Sequence, residues 1–393
     1  MAKRALTDYP VDGRRVFVRV DFNVPLAGGA VADDTRIRAA LPTIAYLIDH
    51  GCRVVLASHL GRPKGQAVAE LRMEPVAGRL AELLGRPVQR VADCVGPEAA
   101  AAAAALAPGE LLLLENLRFH AEETANAPAF AAQLAALADI YVNDAFGTAH
   151  RAHASTVGVP RILPGVAGLL MARELEVLGR LLSAPARPFV VLLGGAKVSD
   201  KIGVIEKMLT VADAVLVGGA MCFALLAAQG LEVGRSRVEE GNTEVATRLL
   251  AAAAESSCDF VLPTDIVVAA EPTATAARRV VAADAMPADE MGLDIGPASA
   301  AAFGARLRTA GTVFWNGPMG LFEVAEFAAG TRAVGEAVAA CSGVSVVGGG
   351  DTVSAVRAFG LEGRITHVST GGGASMEFLE GRALPGVEAL LDA

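Results

Sequence analysis

The sequence predicts an α/β protein of two lobes, each built on a parallel sheet, joined by a long helix and facing a cleft. Three observations predict it. Short β-branched runs alternate with segments of helical period along both halves, several of the runs end in glycines, and a long amphipathic segment at 168–182 separates the halves. Parallel strands align their carboxyl ends along one edge, and open α/β sheets place ligands there.

Along the first half, residues 16–20, 54–57, 111–114 and 140–142 have the length and composition of strands. Between them, 37–47, 73–84 and 130–137 carry helical spacing. The alanine tract at 99–105 follows Pro97 and predicts a further helix, because alanine is the best helix former and a first turn tolerates proline. The segment 168–182 stops before Pro185 and Pro188 and sets the boundary between lobes near 165–187. Beyond it, the strand at 189–193 runs into Gly194 and Gly195, that at 214–217 into Gly218 and Gly219, that at 344–347 into Gly348, Gly349 and Gly350, and that at 366–369 into Gly371, Gly372 and Gly373. Each glycine turn leads into a helical pattern. The uncharged stretch 214–231 has the length of a membrane span, but its glycine break predicts a buried strand and helix.

A chain of 393 residues with 53% hydrophobic content supports two sizeable cores. Its formal charge of −9 argues against a general binder of nucleic acid or membrane surfaces, so any anion site is local. Cys52, Cys94, Cys222, Cys258 and Cys341 are scattered without a C-x-x-C pair, which fits a reducing compartment and speaks against a zinc site. No secretory pattern is visible at the start, and the expected location is the cytoplasm.

Lysine carries the sharpest signal. Only five of the 34 basic residues are Lys, and Lys197 and Lys201 both fall in the turn after residues 189–193. Free backbone N–H groups, a helix dipole and two ammonium groups at one turn suit a phosphate. The turns match neither G-x-x-x-x-G-K-[ST] nor G-x-G-x-x-G. The first half uses other loop chemistry: Asp21 and Asn23, His59 and Arg62, Arg118, and His150 and Arg151 follow its strands, and Arg36 stands at a helix start. Guanidinium groups gathered at one sheet edge would hold carboxylates and phosphates by bidentate contacts. His120 and His153 read as structural or exposed.

Six segments together resemble the phosphoglycerate kinase family. They are residues 19–25, 58–63 and 141–151, then 194–201, 315–320 and 348–352, and they keep the family's order over essentially the whole chain. The resemblance implies two Rossmann-like three-layer lobes, 1–165 for the glycerate substrate and 188–374 for nucleotide, with a hinge at 166–187 and a return of 375–393 to the first lobe. It implies phosphoryl transfer between 1,3-bisphosphoglycerate and ADP with Mg2+. Asp21, Phe22, Asn23, Arg36, His59, Leu60, Gly61, Arg62, Arg118, His150 and Arg151 would bind the glycerate ligand. Gly194, Gly195, Lys197, Lys201, Gly218, Gly219, Gly292, Leu293, Asn316, Pro318, Glu323, Gly349, Gly350, Asp351 and Thr352 would bind nucleotide. Within that set Glu323 would take the ribose and Asp351 the metal. Arg36, Lys197 and the backbone of Gly371, Gly372 and Gly373 would meet the migrating phosphoryl group. The chain departs from the family at Ala220 and Cys222, where added bulk would tighten the adenine wall.

Both nucleophiles of such a transfer are ionised near neutral pH, so positioning and charge stabilisation replace a general base. Donors on two lobes would have to close on one group, expelling water. The expected enzyme is a monomer that binds neither nucleic acid nor membrane. A two-lobed small-anion binding protein without catalysis and a nucleotide-dependent dehydrogenase with Rossmann lobes are the other readings. The paired lysines speak against the first, and the missing ribose fingerprint against the second.

Overall fold

The computed structural model describes residues 3–239 and 241–393, so the first two residues of the opening stretch lie outside it. The chain divides into two compact units, Met1–Glu176 with Ala383–Ala393, and Val177–Arg382. The first break falls inside the helix Leu169–Ser183. Residues 375–382 stay with the second unit, because the helix Gly373–Leu379 packs on Ile202–Leu209.

Six parallel strands form the sheet of the first unit: β1 (Arg15–Arg19), β2 (Arg53–Ala57), β3 (Gln89–Arg90), β4 (Leu111–Leu113), β5 (Ile140–Asn143) and β6 (Gly165–Ala167). Their order is β3-β4-β2-β1-β5-β6. The central strands were legible from their apolar runs. The edge strands β3 and β6 were not, since β3 is two exposed polar residues and β6 only three residues long. Ile37, Ile44 and Leu47 of the helix Thr35–Asp49 and Val76 and Leu80 of Glu74–Leu84 pack on one face of this sheet with Val16, Val18, Val54 and Leu56.

The second unit repeats the plan with β7 (Phe189–Leu193), β8 (Ala214–Val217), β9 (Asp259–Val261), then, after a separate antiparallel sheet of β10 (Asp265–Ala269), β11 (Arg278–Ala282) and β12 (Met291–Ile295), β13 (Thr312–Asn316), β14 (Val344–Gly348) and β15 (His367–Val368). The parallel strands run in the order β9-β8-β7-β13-β14-β15. Every residue of β7, β8 and β13 is buried. Successive side chains point to opposite faces, so both faces are covered and the unit has three layers. Phe303 and Leu307 of the helix Pro297–Arg308 and Val334 and Val338 of Ala329–Ala339 cover one of them.

Each of the four glycine turns follows a strand of this one sheet and precedes a helix, and each holds one glycine in the left-handed region: Gly195, Gly219, Gly349 and Gly372. The stretch 214–231 is β8 followed by the helix Met221–Ala228. Among the described residues, no helix is long and apolar enough to cross a membrane.

Candidate functional site

Chain progression across each sheet reverses once, between β1 and β5 in the first unit and between β7 and β13 in the second. Such a reversal splays the loops on either side apart and opens a crevice at the carboxyl edge. Most of the predicted residues of each unit lie around its own reversal; Gly218 and Gly371, Gly372 and Gly373 do not.

In the first unit the loop after β1 is held by its own side chains. The N–H of Asn23 donates to Asp21 Oδ1 at 3.2 Å, and Asn23 Oδ1 accepts the N–H of Gly61 at 2.8 Å. Arg36, in the first turn of Thr35–Asp49, reaches Asp21 at 3.3 Å and the Asn23 carbonyl at 2.9 Å. Arg118 donates to the Gly61 carbonyl at 2.9 Å, and Asn116 clamps Leu60 through both its N–H and its carbonyl. The N–H of Phe22 donates to Ser58. Arg151 donates to His150 at 3.1 Å. Asp21, Asn23, Arg36, Gly61 and Arg118 thus form one bonded cluster. Arg62 stands next to it, exposed to solvent, as a residue awaiting a partner from outside would.

The cluster is strongly cationic. Burial, followed by Arg151 and Arg19, lowers Arg118 to about 10, and its Nε is buried without a hydrogen-bond partner. His59 is held well below the usual imidazole range by burial and then by Arg19, Arg118, Arg36 and Arg151. His153, expected to be structural or exposed, is mostly buried beside Glu123 and is lowered to about 4 by burial and then by Arg19, Arg118, Arg151 and His150. A buried guanidinium with an orphan donor favours an anionic ligand.

In the second unit two cavities meet at the reversal. The smaller, about 240 Å³, is lined by Gly194, Gly195, Lys197, Lys201, Asn316, Gly349, Gly350, Asp351 and Thr352, with Asp200. The larger, about 500 Å³, takes in Gly219, Gly292, Leu293, Pro318 and Glu323, and shares Gly195, Ala196 and Asp351 with the smaller. An end lined by glycines, two lysines and two aspartates therefore opens into an apolar end bounded by Phe223, Ile266, Met291 and Leu321. Gly218 does not line either cavity. A Cβ there would stand 2.5 Å from Sδ of Met319, so this glycine lets the wall pack. Gly371, Gly372 and Gly373 follow the edge strand β15 and also lie outside both linings.

The smaller cavity is held by direct bonds between loops. Lys201 donates to both the carbonyl and the side chain of Asn316, whose amide donates to the Gly348 carbonyl at 2.9 Å. Burial lowers Lys201 to about 8, against the pull of Asp200 and Asp351. Thr352 accepts the Gly317 N–H at 2.6 Å, so its hydroxyl braces the loop. Lys197 is 3.3 Å from Glu239, which Arg237 also holds at 2.8 Å. Asp351 is the second residue of the helix Gly350–Ala358, and the helix is capped by Gly349. Asp294, under the larger cavity, accepts N–H groups from Gly330 and Ile295, and burial raises it to about 7.

Arg235, Arg237, Ile266 and Met291 line the larger cavity without having been read from the sequence. The last two belong to the antiparallel sheet, whose strand β11 is largely exposed and shows no alternation. Arg19, Glu123 and Ser155, fully buried behind His59, were missed as well. For these the sequence holds no local signal.

A sequence model described as phosphoglycerate kinase matches residues 6–382. A phosphoglycerate kinase of Moorella thermoacetica is 59% identical over 392 residues, covering 100% of both chains. One of Thermomicrobium roseum is 55% identical over 389 residues, covering 99% of each. Among solved structures, the phosphoglycerate kinase of Coxiella burnetii aligns with a TM-score of 0.90 at 39% identity over 98% of both chains, and that of Pyrococcus horikoshii with 0.86 at 36% identity over 99% of this chain and 98% of the other.

Proposed function

The chain belongs to the phosphoglycerate kinase family, and we propose that its two residue clusters divide that family's reaction between them. The reaction is the glycolytic, reversible transfer of a phosphoryl group from 1,3-bisphosphoglycerate to ADP, giving 3-phosphoglycerate and ATP. The first unit's cluster of Asp21, Asn23, Arg36, His59, Arg62, Arg118 and Arg151 takes the glycerate ligand. In the second unit the smaller cavity takes the nucleotide phosphates and the larger one the base and ribose, with Glu323 on the ribose. One observation supports this division above the others. Lys197 and Lys201, scarce lysines both, meet glycine turns at the β7/β13 reversal, in a cavity that widens into an apolar one.

Asp351 and Asp200 bring hard oxygen donors to the phosphate cavity, facing its lysines. Magnesium is usually held by one or two carboxylates together with phosphate oxygens and water, so this donor set fits Mg2+ with Asp351 as its ligand. When bound, the ion would neutralise phosphate charge. The protein's own part is positioning. Arg36, fixed by Asp21 and the Asn23 carbonyl, directs a guanidinium at the carboxyl phosphate, and Lys197 leaves Glu239 for the transferring oxygens. Lys201 is tied to Asn316 and stays with the nucleotide. The N–H groups of Gly371, Gly372 and Gly373 join only in a reacting state in which the two units close at 166–187 and near residue 382.

The enzyme acts as a cytoplasmic monomer without nucleic acid, in keeping with its net charge of −9. The decisive experiment couples 3-phosphoglycerate and Mg-ATP to a nicotinamide readout of the acyl phosphate. Arg36→Ala and Lys197→Ala are expected to lose turnover by roughly a hundredfold or more with ADP affinity little changed, as for contacts that strengthen in the transition state. Turnover retained by either variant removes that residue from its role.

A further inference from the structure

Behind the glycerate cluster lies a buried chain of groups that the roles above leave unused. Glu123, in the helix Ala121–Thr124, is fully buried and accepts two hydrogen bonds from Ser155, one from its N–H at 2.9 Å and one from its hydroxyl at 2.5 Å. That hydroxyl accepts in turn from Nε of Arg19 at 2.7 Å. Arg19 ends β1, is itself fully buried, and sets its Nη2 3.3 Å from Nδ1 of His59. Its Nη1 is taken by the Val20 carbonyl.

Chemistry gives the chain one direction. A guanidinium only donates, so the Ser155 proton passes on to the carboxylate, and Nδ1 of His59 accepts. A neutral imidazole whose Nδ1 accepts carries its proton on Nε2. Burial and the facing guanidinium groups of Arg19, Arg118, Arg36 and Arg151 oppose a further positive charge on the ring. Glu123 places an opposite charge behind the Arg19 guanidinium, with the Ser155 hydroxyl between them.

We propose that Glu123, Ser155 and Arg19 are positioning residues that together hold His59 as the neutral, Nε2-protonated tautomer, a fixed hydrogen-bond donor to the anionic glycerate ligand. The inference rests on the glycerate reading above and deepens it. With Nδ1 occupied, the ring offers its ligand a donor and no acceptor. A fully ionised phosphate or carboxylate satisfies it, and a protonated oxygen finds no partner there. Because the ring adds no charge, the arginines alone set the pull on the anion, and product can leave.

The test uses the full chain labelled with 15N-histidine, with NMR reporting which ring nitrogen of His59 carries the proton. Wild-type protein without ligand is expected to show a protonated Nε2, a bare Nδ1 and no titration between about pH 6 and 8. Ser155→Ala cuts the chain and should mix the two tautomers, raise KM for 3-phosphoglycerate about tenfold, and leave kcat within about twofold and ADP affinity unchanged. Glu123→Gln should act in the same direction. A wild-type ring protonated on Nδ1, or doubly protonated at neutral pH, overturns the proposal. So does a folded Ser155→Ala protein with the wild-type tautomer and KM. The wild-type spectrum requires no substitution and decides the matter even where a variant fails to fold. If 3-phosphoglycerate leaves the His59 signals unmoved, the glycerate reading fails, whereas the tautomer is judged on the ligand-free spectrum.

Discussion

Replacing Gly194 by alanine should damage nucleotide binding through backbone geometry alone. A Cβ at this position would lie 2.1 Å from the Pro318 carbonyl oxygen, 2.5 Å from Cε of Met319 and 2.8 Å from the Gly317 carbonyl oxygen. Carbon and carbonyl oxygen normally approach no closer than about 3.3 Å, so the crossing loops must part by roughly 1 Å. Two hydrogen bonds span that crossing, Gly194 N–H to the Asn316 carbonyl and Gly195 N–H to the Pro318 carbonyl, both at 2.9 Å. Overpacking costs about 1–3 kcal/mol and each of the two weakened bonds about 1 kcal/mol, which puts the destabilisation at about 3–5 kcal/mol. A loss of that size is a large fraction of the about 5–15 kcal/mol that holds a typical domain, so the melt is read before the binding. Parting the loops also separates Lys201 from Asn316, so ADP affinity should drop at least about tenfold, or ~1.4 kcal/mol. Affinity for 3-phosphoglycerate should hold, since its residues belong to the other unit. Calorimetric titration with each ligand and a thermal melt make the measurement. Gly350→Ala is the control for stability, because a Cβ there meets nothing within 4 Å. A Gly194→Ala protein that melts and binds ADP like wild type would refute the steric argument.

Three other substitutions and titrations extend the test. ADP affinity should be level below pH 8 and fall above it, by up to about tenfold per pH unit, because Lys201 is lowered to about 8 and only its ammonium form attracts phosphate; Lys201→Arg should flatten the profile, and a wild-type profile already flat to about pH 10 would contradict it. Arg62→Ala should weaken 3-phosphoglycerate binding several-fold with ADP binding and melting unchanged, as suits an exposed loop residue; direct titration of both ligands checks this. Gly179→Ala should stabilise the helix Leu169–Ser183 by ~0.5–1 kcal/mol, since its Cβ meets nothing within 4 Å, and a melting point that drops instead would show the helix needs that glycine to bend.

Much of the site could be read along the chain because its parts are local. A glycine turn after an apolar run announces itself within about ten residues, and a parallel sheet then collects such turns at one edge without further instruction. The lysines at 197 and 201 and the polar loops at 21–23, 59–62 and 150–151 were legible for that reason. The antiparallel sheet was not. Its strand β11 lies exposed at four of its five positions, so burial imprints no period on it, yet its neighbours β10 and β12 supply Ile266 and Met291 to the larger cavity.

Local pattern, then, settled the succession of strands and helices, the chemistry of each strand end and the kinship of the whole chain. Long-range packing settled which polar residues are buried and what they do there. Arg19 and Ser155 stand 136 positions apart, and Ser155 and Glu123 stand 32 apart, and each alone reads as a surface residue. Their bonding depends on a fold that brings the helix Ala121–Thr124 and the segment Ala154–Gly158 to the end of β1, and a buried charge has meaning only once its partner is in place, because desolvation is offset by contacts that no window of sequence contains.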